Sequence, residues 1–176
     1  HYRKTLSHAM TLVKVKAITS PKGWRLFLFR LPIWLFRFRL GWIFGRQLLL
    51  LYHTGRKSGQ IYTTVLEVIR YDKVSNTYFL ASGFGENSDW LNNLMATPAA
   101  RVMVGMRQHS VVAARLEPAE AAEELLKYWR QKPLRFQYMI IPSLGYKGDA
   151  TEIDVKALAE HVPIFSLTAC AATKYT

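Results

Sequence analysis

The chain has 176 residues, a mass of 20.3 kDa and a hydrophobic fraction of 50%, which predicts one domain with a buried core and excludes a wholly disordered protein. Its 24 basic residues outnumber its 12 acidic ones, yet residues 1–60 contain 12 of the basic residues and no acidic residue. Residues 61–176 are therefore neutral overall, which excludes a uniformly basic protein and predicts an anionic partner for the N-terminal third.

The cysteine and histidine content limits the chemistry further. Cys170 is the single cysteine, so no internal disulfide can form, and a reducing, cytoplasmic setting is expected. The five histidines lack the i, i+4 spacing that two metal ligands on one helix face would need. We therefore predict no metal site and interpret each histidine as a surface or hydrogen-bonded side chain.

Residues 1–20 are predicted to be an N-terminal extension, followed by one domain over residues 21–176. Met10 is a candidate natural start, so the residues before it are interpreted as a tag or upstream sequence. Residues 24–44 are the most apolar stretch, but four arginines and Pro32 interrupt it, which argues against a transmembrane helix. Two interpretations stay open for residues 24–46: an amphipathic helical segment on an anionic membrane at its inner face, or helices that cover the fold while their arginines reach water.

From residue 47 the pattern changes to short strands separated by turns. Runs of aliphatic, β-branched and aromatic residues predict strands over residues 47–53, 62–71, 77–82, 100–104, 109–115 and 162–167. Helices are predicted over residues 90–96, capped by Asp89, over residues 118–131, and within residues 133–146, ending near Pro142. Because consecutive strands with short connections pair antiparallel, we predict an α+β fold, a small antiparallel barrel with packed helices.

The turn between the first two predicted strands carries a concentration of chemistry. It reads TGRKSGQ over residues 54–60. Gly55 and Gly59 permit close approach of the backbone to a ligand. Arg56, Lys57 and Ser58 supply positive charge and hydrogen-bond donors. From these residues alone, a phosphate cradle and a solvated basic turn both remain open.

A second motif begins where the third predicted strand ends. The sequence ASGFG over residues 81–85 leads into SDWLNNL over residues 88–94, a loop followed by a capped helix. Small residues and backbone amides in such a loop suit the wall of a ligand site. Trp90 and Leu94 lie on one helix face, as ordinary core residues do.

The two motifs, in this order and spacing, resemble the deazaflavin-dependent nitroreductase family, the split β-barrel oxidoreductases that use coenzyme F420. The family's GRKSGxxxxxxL pattern occurs within residues 54–66, where Thr54 directly precedes it, and the strand end that begins A-S occurs over residues 81–83. The D-W-x-x-N-L helix occurs over residues 89–94, followed by TP at residues 97–98 and V-x-V-G at residues 102–105. The resemblance covers residues 41–115 in register.

The resemblance implies a split antiparallel β-barrel, and it implies roles for individual residues. The turn would hold the cofactor phosphate through Arg56, Lys57, Ser58 and the backbone of Gly59. The remaining pocket residues would be Tyr62, Thr63, Thr64, Val65, Leu66, Ala81, Ser82, Gly83, Trp90 and Asn93. The substrate would take its proton from solvent or from a tyrosine, for which Tyr138 is the candidate. The chain departs from the family at two of these positions, where proline is often found in place of Val65 and lysine in place of Gly83.

The activity that the resemblance implies is that of an F420H2-dependent reductase, which passes a hydride to an unsaturated, quinone-like or nitro acceptor. The phosphate and glutamate tail of coenzyme F420 would be attracted to the acid-free first 60 residues, whereas FMN, the alternative cofactor, offers only a phosphate. The alternative function is a non-catalytic protein that binds or carries F420 or FMN. No nucleic-acid partner is expected, because no groove-reading motif accompanies the charge. A homodimer is left open.

Overall fold

The computed structural model describes residues 12–14, 43, 45–82, 85–143 and 145–170. The N-terminal extension and the apolar stretch at residues 24–44, for which the sequence predicts helices, lie almost wholly outside the described residues. Within the described part of the chain, no helix has the length and apolar character needed to cross a membrane.

The described strands form a barrel and one small separate sheet. Their bounds are β1 Val13–Lys14, β2 Leu48–Thr54, β3 Ile61–Asp72, β4 Thr77–Ala81, β5 Ala99–Val104, β6 Arg107–Arg115, β7 Tyr146–Lys147 and β8 Ile164–Ala169. Six strands close in the order β2-β3-β4-β8-β6-β5, with every neighbouring pair antiparallel, while β1 pairs with β7. The prediction of an α+β fold built on a split antiparallel β-barrel with packed helices is confirmed.

Strand β2 shows how the barrel acquires its core. Leu49 and Leu51 are fully buried in the barrel interior, and burying each such side chain contributes roughly 1.5–3 kcal/mol. Because side chains alternate between the two faces of a strand, His53 lies on the same face as these leucines, at the end of β2. A polar side chain thus takes the last inward position of an otherwise apolar row.

A short helix, α1, covers Asp89–Ala96 and packs Trp90, Leu91 and Leu94 into the barrel core. The Trp90 ring meets that of Phe165 edge-on, with 5.7 Å between ring centroids. The N-cap residue is Ser88 rather than the predicted Asp89, which is the first residue of the helix. The packing fixes α1 beside the barrel, next to the turn between β2 and β3.

A second core lies between the outside of the barrel and the remaining helices. Helix α2 spans Pro118–Gln131, a run of short helical segments follows over Pro133–Arg135, Phe136–Ile140 and Ile141–Ser143, and α3 spans Glu152–Ala159. Leu125, Phe136 and Leu158 are among the residues buried in this core. Glu124 of α2 forms a two-pronged ion pair with Arg70 of β3, which ties the helical layer to the barrel.

Helix α3 is the one described helix of eight or more residues that the sequence analysis does not predict. It begins with a capping box, in which the Thr151 hydroxyl accepts from the Asp154 backbone and the Asp154 carboxylate accepts from the Thr151 backbone. The helix has only eight residues and contains the β-branched Ile153 and Val155, so its intrinsic helix propensity is low. Burial of Val155 and Leu158 in the second core stabilises it instead.

Candidate functional site

A cleft of about 450 Å³ opens between the β2–β3 turn and helix α1. The turn supplies one wall, the start of β3 a second and the first turns of α1 a third. The cleft is lined by His53, Gly55, Arg56, Lys57, Ser58, Tyr62, Thr63, Thr64, Asp89, Trp90 and Asn93. Its position at one end of the barrel follows from the pairing of β2 with β3, which brings both ends of the turn together.

The turn itself is closed by its own backbone. The Gly55 N–H donates to the carbonyl of Gln60 at 2.7 Å, and the Gly59 N–H donates to the carbonyl of Gly55 at 2.8 Å. A Cβ added at Gly55 would lie 2.5 Å from Tyr62 Cε2 and 2.7 Å from Ser58 Oγ, so this position has room only for glycine. Gly59 has φ +67°, a backbone conformation that favours glycine. The two glycines therefore shape a tight loop whose polar groups face the cleft.

Asn93 of α1 is the hub that joins the turn to the barrel. Its Oδ1 accepts from the Arg56 backbone N–H at 3.0 Å and from Arg56 Nη1 at 3.0 Å. Its Nδ2 donates to His53 Nδ1 at 2.9 Å. The two bonds from Arg56 fix which end of the Asn93 amide is the acceptor, so the amino end must face His53. Asn93 is only 5% exposed.

This arrangement fixes the state of the His53 ring. Since Nδ1 accepts from Asn93, the proton of the neutral ring must be on Nε2. Burial lowers the pKa of His53, and the nearby Asp89 carboxylate opposes this shift without outweighing it. The imidazole is therefore neutral at pH 7.

The lowered pKa of His53 predicts a pH dependence of folding stability. The unfolded chain takes up a proton at His53 near the ordinary value of 6.5, before the folded chain does, so this contribution to the free energy of unfolding is full above pH 6.5 and is lost as pH falls below it. We expect urea unfolding to show a larger loss between pH 7.5 and pH 5 for the unsubstituted protein than for His53→Asn, which keeps an acceptor for Asn93 but does not titrate. Identical losses would contradict this prediction.

Two basic side chains line the cleft: Arg56, which forms an ion pair, and Lys57, which forms none within the described residues. Arg56 Nη1 donates to Asp89 Oδ1 at 3.2 Å as well as to Asn93. Lys57 is exposed and has no ion-pair or hydrogen-bond partner within the described residues. The hydroxyls of Ser58 and Tyr62 lie 3.2 Å apart beside it. An open ammonium, hydroxyl donors and a glycine-shaped backbone in one turn can hold an anionic group such as a phosphate.

The structure brings together most of the residues that the sequence analysis singles out. Those that line the cleft are Arg56, Lys57, Ser58, Tyr62, Thr63, Thr64, Trp90 and Asn93. Gly59 lies in the same turn without lining the cleft. Gly83 lies outside the described residues.

The other predicted site residues lie away from the described lining of the cleft. Val65 of β3 pairs with Leu50 of β2, and Leu66 packs against the barrel core. Ala81 packs against the second core, and Ser82 Oγ donates to the carbonyl of Gly85 at 2.7 Å. Their predicted contact with a cofactor stays a prediction.

Tyr138, the predicted proton donor, lies in the helical segment Phe136–Ile140 and is 74% exposed. It is not among the residues that line the cleft. No structural feature tests its predicted role, which also stays a prediction. In the described part of the chain, no cluster of side chains is suited to hold a metal ion.

Two residues that line the cleft, His53 and Asp89, are not predicted as site residues from the sequence. A signal for His53 was present, since it occupies the inward position two residues after Leu51 in the apolar row of β2. Asp89 was interpreted as a helix cap, but its carboxylate binds Arg56.

The chain is similar to known proteins in its family and in its fold. The model of the F420H(2)-dependent quinone reductase family matches residues 39–139, which include the cleft. No curated protein matches the sequence. The chain is similar to the structure of a conserved hypothetical protein from Mycobacterium tuberculosis, with 14% identity, a TM-score of 0.51, and coverage of 90% of this chain and 87% of the other; at this identity the similarity concerns the fold alone.

Two further structures are similar at lower scores. One is an F420-H2 dependent reductase with 20% identity and a TM-score of 0.48, covering 70% of this chain and 95% of the other. The second is a pyridoxamine 5′-phosphate oxidase-related, FMN binding protein from Nostoc punctiforme, with 9% identity and a TM-score of 0.49, covering 85% of this chain and 82% of the other.

Proposed function

The chain belongs to the F420H(2)-dependent quinone reductase family, and from this premise we propose that it binds coenzyme F420 in the cleft and reduces a quinone-like acceptor. The expectation of a family of F420-using oxidoreductases is confirmed at this level. The matched family is one of quinone reductases rather than of nitroreductases. The unsaturated and nitro acceptors therefore rank behind a quinone.

The observation that carries the proposal is the fit of the β2–β3 turn to a phosphate. Gly55 lets the Tyr62 ring and the Ser58 hydroxyl lie close against the backbone of the turn, and Lys57 has no counter-ion within the described chain. A bound phosphate would meet the Lys57 ammonium and the Ser58 hydroxyl, the donors that suit it. Tyr62, Thr63 and Thr64 of β3 and Trp90 of α1 would border the rest of the cofactor.

In the proposed reaction the cofactor carries out the hydride chemistry, and the protein binds and orients the cofactor. Bound F420 in its reduced form supplies the hydride. The protein anchors the phosphate at the turn, keeps the turn in shape through Asn93, and places Trp90 and the β3 residues as walls. The proton that the reduced acceptor requires would come from solvent or from the exposed Tyr138.

Two partners proposed for the basic N-terminal third remain proposals. Residues 24–46 would meet either the glutamate tail of the cofactor or an anionic membrane surface at its inner face, in a cytoplasmic protein. Only residues 43, 45 and 46 of this segment are described. A homodimer also stays a prediction.

The choice of cofactor is tested by titration of the protein with F420 and, separately, with FMN, followed by quenching of cofactor fluorescence. We expect saturable binding of F420 at micromolar concentration and weaker binding of FMN, because FMN lacks the glutamate charges that the basic residues attract. Binding of FMN at micromolar concentration without binding of F420 would overturn the proposal.

A further inference from the structure

His53 presents an unused hydrogen-bond donor to the cleft. The residue is only 4% exposed, and it lines the cleft beside Tyr62, with 6.2 Å between the two ring centroids and 28° between their planes. Nδ1 is bonded to Asn93. Within the described residues Nε2 has no hydrogen-bond partner. Every fully buried nitrogen or oxygen of the described side chains does have a partner, so Nε2 is not fully buried. Nε2 is therefore reachable from the cleft.

The three hydrogen bonds of Asn93 determine which kind of acceptor the Nε2–H of His53 can bind. A protonated ring would place an Nδ1–H against the amino end of Asn93, and the amide cannot reverse without breaking both bonds to Arg56. The ring is thus held neutral with its proton on Nε2. A neutral donor of this kind suits an uncharged acceptor, because a phosphate oxygen at Nε2 would favour the imidazolium that Asn93 disfavours.

We propose that His53 is a further cofactor-binding residue, which donates a hydrogen bond from Nε2 to an uncharged oxygen or nitrogen acceptor of the bound cofactor. The inference rests on the proposed function, since the ligand is the F420 assigned to this cleft. It separates two parts of the site. Lys57 and Ser58 at the exposed turn take the anionic group, whereas His53 and Trp90 form the buried floor that takes the uncharged part.

The variant His53→Asn tests the contact. Asparagine keeps a polar group near the position of Nδ1, and its Oδ1 can accept from Asn93, but it has no counterpart of Nε2. We expect the dissociation constant for F420 to rise about tenfold, the effect of one lost hydrogen bond in a buried site, with the thermal unfolding midpoint unchanged at pH 7.5. His53→Ala serves as the comparison, because it removes the Asn93 contact too and should lower the midpoint.

A second measurement uses the unsubstituted protein and does not depend on any variant folding. Long-range ¹H–¹⁵N spectra at pH 7 are expected to show a neutral His53 ring protonated on Nε2, both before and after addition of F420. The Nε2–H signal should move downfield and exchange more slowly once F420 is bound. An Nδ1–H tautomer, an unmoved signal or a ring that becomes protonated in the complex would overturn the inference.

The failure of this inference can be told apart from failure of the proposed function. If the unsubstituted protein does not bind F420, the proposed function fails. If the unsubstituted protein and His53→Asn bind F420 equally well, the proposed function stands and the role of His53 is wrong.

Discussion

Lys57→Glu is expected to raise the dissociation constant for F420 by about 100-fold, since it removes a charge-assisted hydrogen bond and places a like charge beside the phosphate. Lys57 is exposed and makes no contact with a counter-ion in the described chain. Its replacement should therefore change the free energy of unfolding by less than about 0.5 kcal/mol. Fluorescence titration gives the first quantity and urea unfolding the second.

Lys73→Glu is the matched control for this charge reversal. Lys73 is exposed in the turn between β3 and β4 and does not line the cleft, so the net charge changes equally while the site does not. We expect Lys73→Glu to bind F420 within about twofold of the unsubstituted protein at 0.15 M salt, where exposed distant charges are screened. Equal losses in the two variants would show that general electrostatic attraction, rather than a contact at the turn, explains the role of Lys57.

Asn93→Leu is expected to reduce the free energy of unfolding by about 2–4 kcal/mol and F420 affinity by about 10- to 100-fold, because it leaves several polar groups without partners. The substitution keeps the branched shape of the side chain but removes both acceptor bonds to Arg56 and the donor bond to His53. The turn would lose the side chain that ties it to α1. Urea unfolding and fluorescence titration on the same preparation measure the two effects.

The adjacent Asn92→Leu provides the control on the same helix. Asn92 Nδ2 donates to the carbonyls of Glu86 and Ser88 at 2.9 and 3.0 Å, away from the cleft. This variant should lose some stability but bind F420 within about threefold of the unsubstituted protein, because the loop before α1 is weakened while the hub is intact. If Asn93→Leu bound F420 as tightly as Asn92→Leu does, Asn93 would have no part in shaping the turn.

The barrel could be predicted from the sequence because its signals are local. The runs over residues 47–53 and 62–71 show strand composition and flank a glycine-containing turn. The observed β2 is shifted by one residue from the first run, and the observed β3 extends the second run by one residue at each end. Helix α2 begins and ends where predicted, at Pro118 and Gln131, since proline in the first turn and a row of strong helix formers mark it clearly. The closing of the barrel between β2 and β5 depends on pairing between distant residues, and only the strand pattern as a whole indicated it.

The candidate site was predictable in its residues but not in its internal bonds. Arg56, Lys57 and Asn93 could be named from motifs, whereas the hydrogen bonds that join Asn93 to Arg56 and to His53 span 37 and 40 residues of sequence. Such contacts exist only after α1 has packed beside the barrel. For the same reason the sequence predicts an ordinary histidine at residue 53 and a free phosphate ligand at Arg56, whose guanidinium is in fact partly engaged by Asp89.

One assay decides whether the protein is a reductase or only carries the cofactor. Reduced F420 is mixed with the protein, with and without a soluble naphthoquinone, and the return of the absorbance of oxidised F420 is followed. We expect rapid oxidation that needs both protein and quinone and that Lys57→Glu slows severalfold or more at subsaturating cofactor. Tight binding of F420 with no quinone-dependent oxidation above the protein-free rate would contradict the proposed activity.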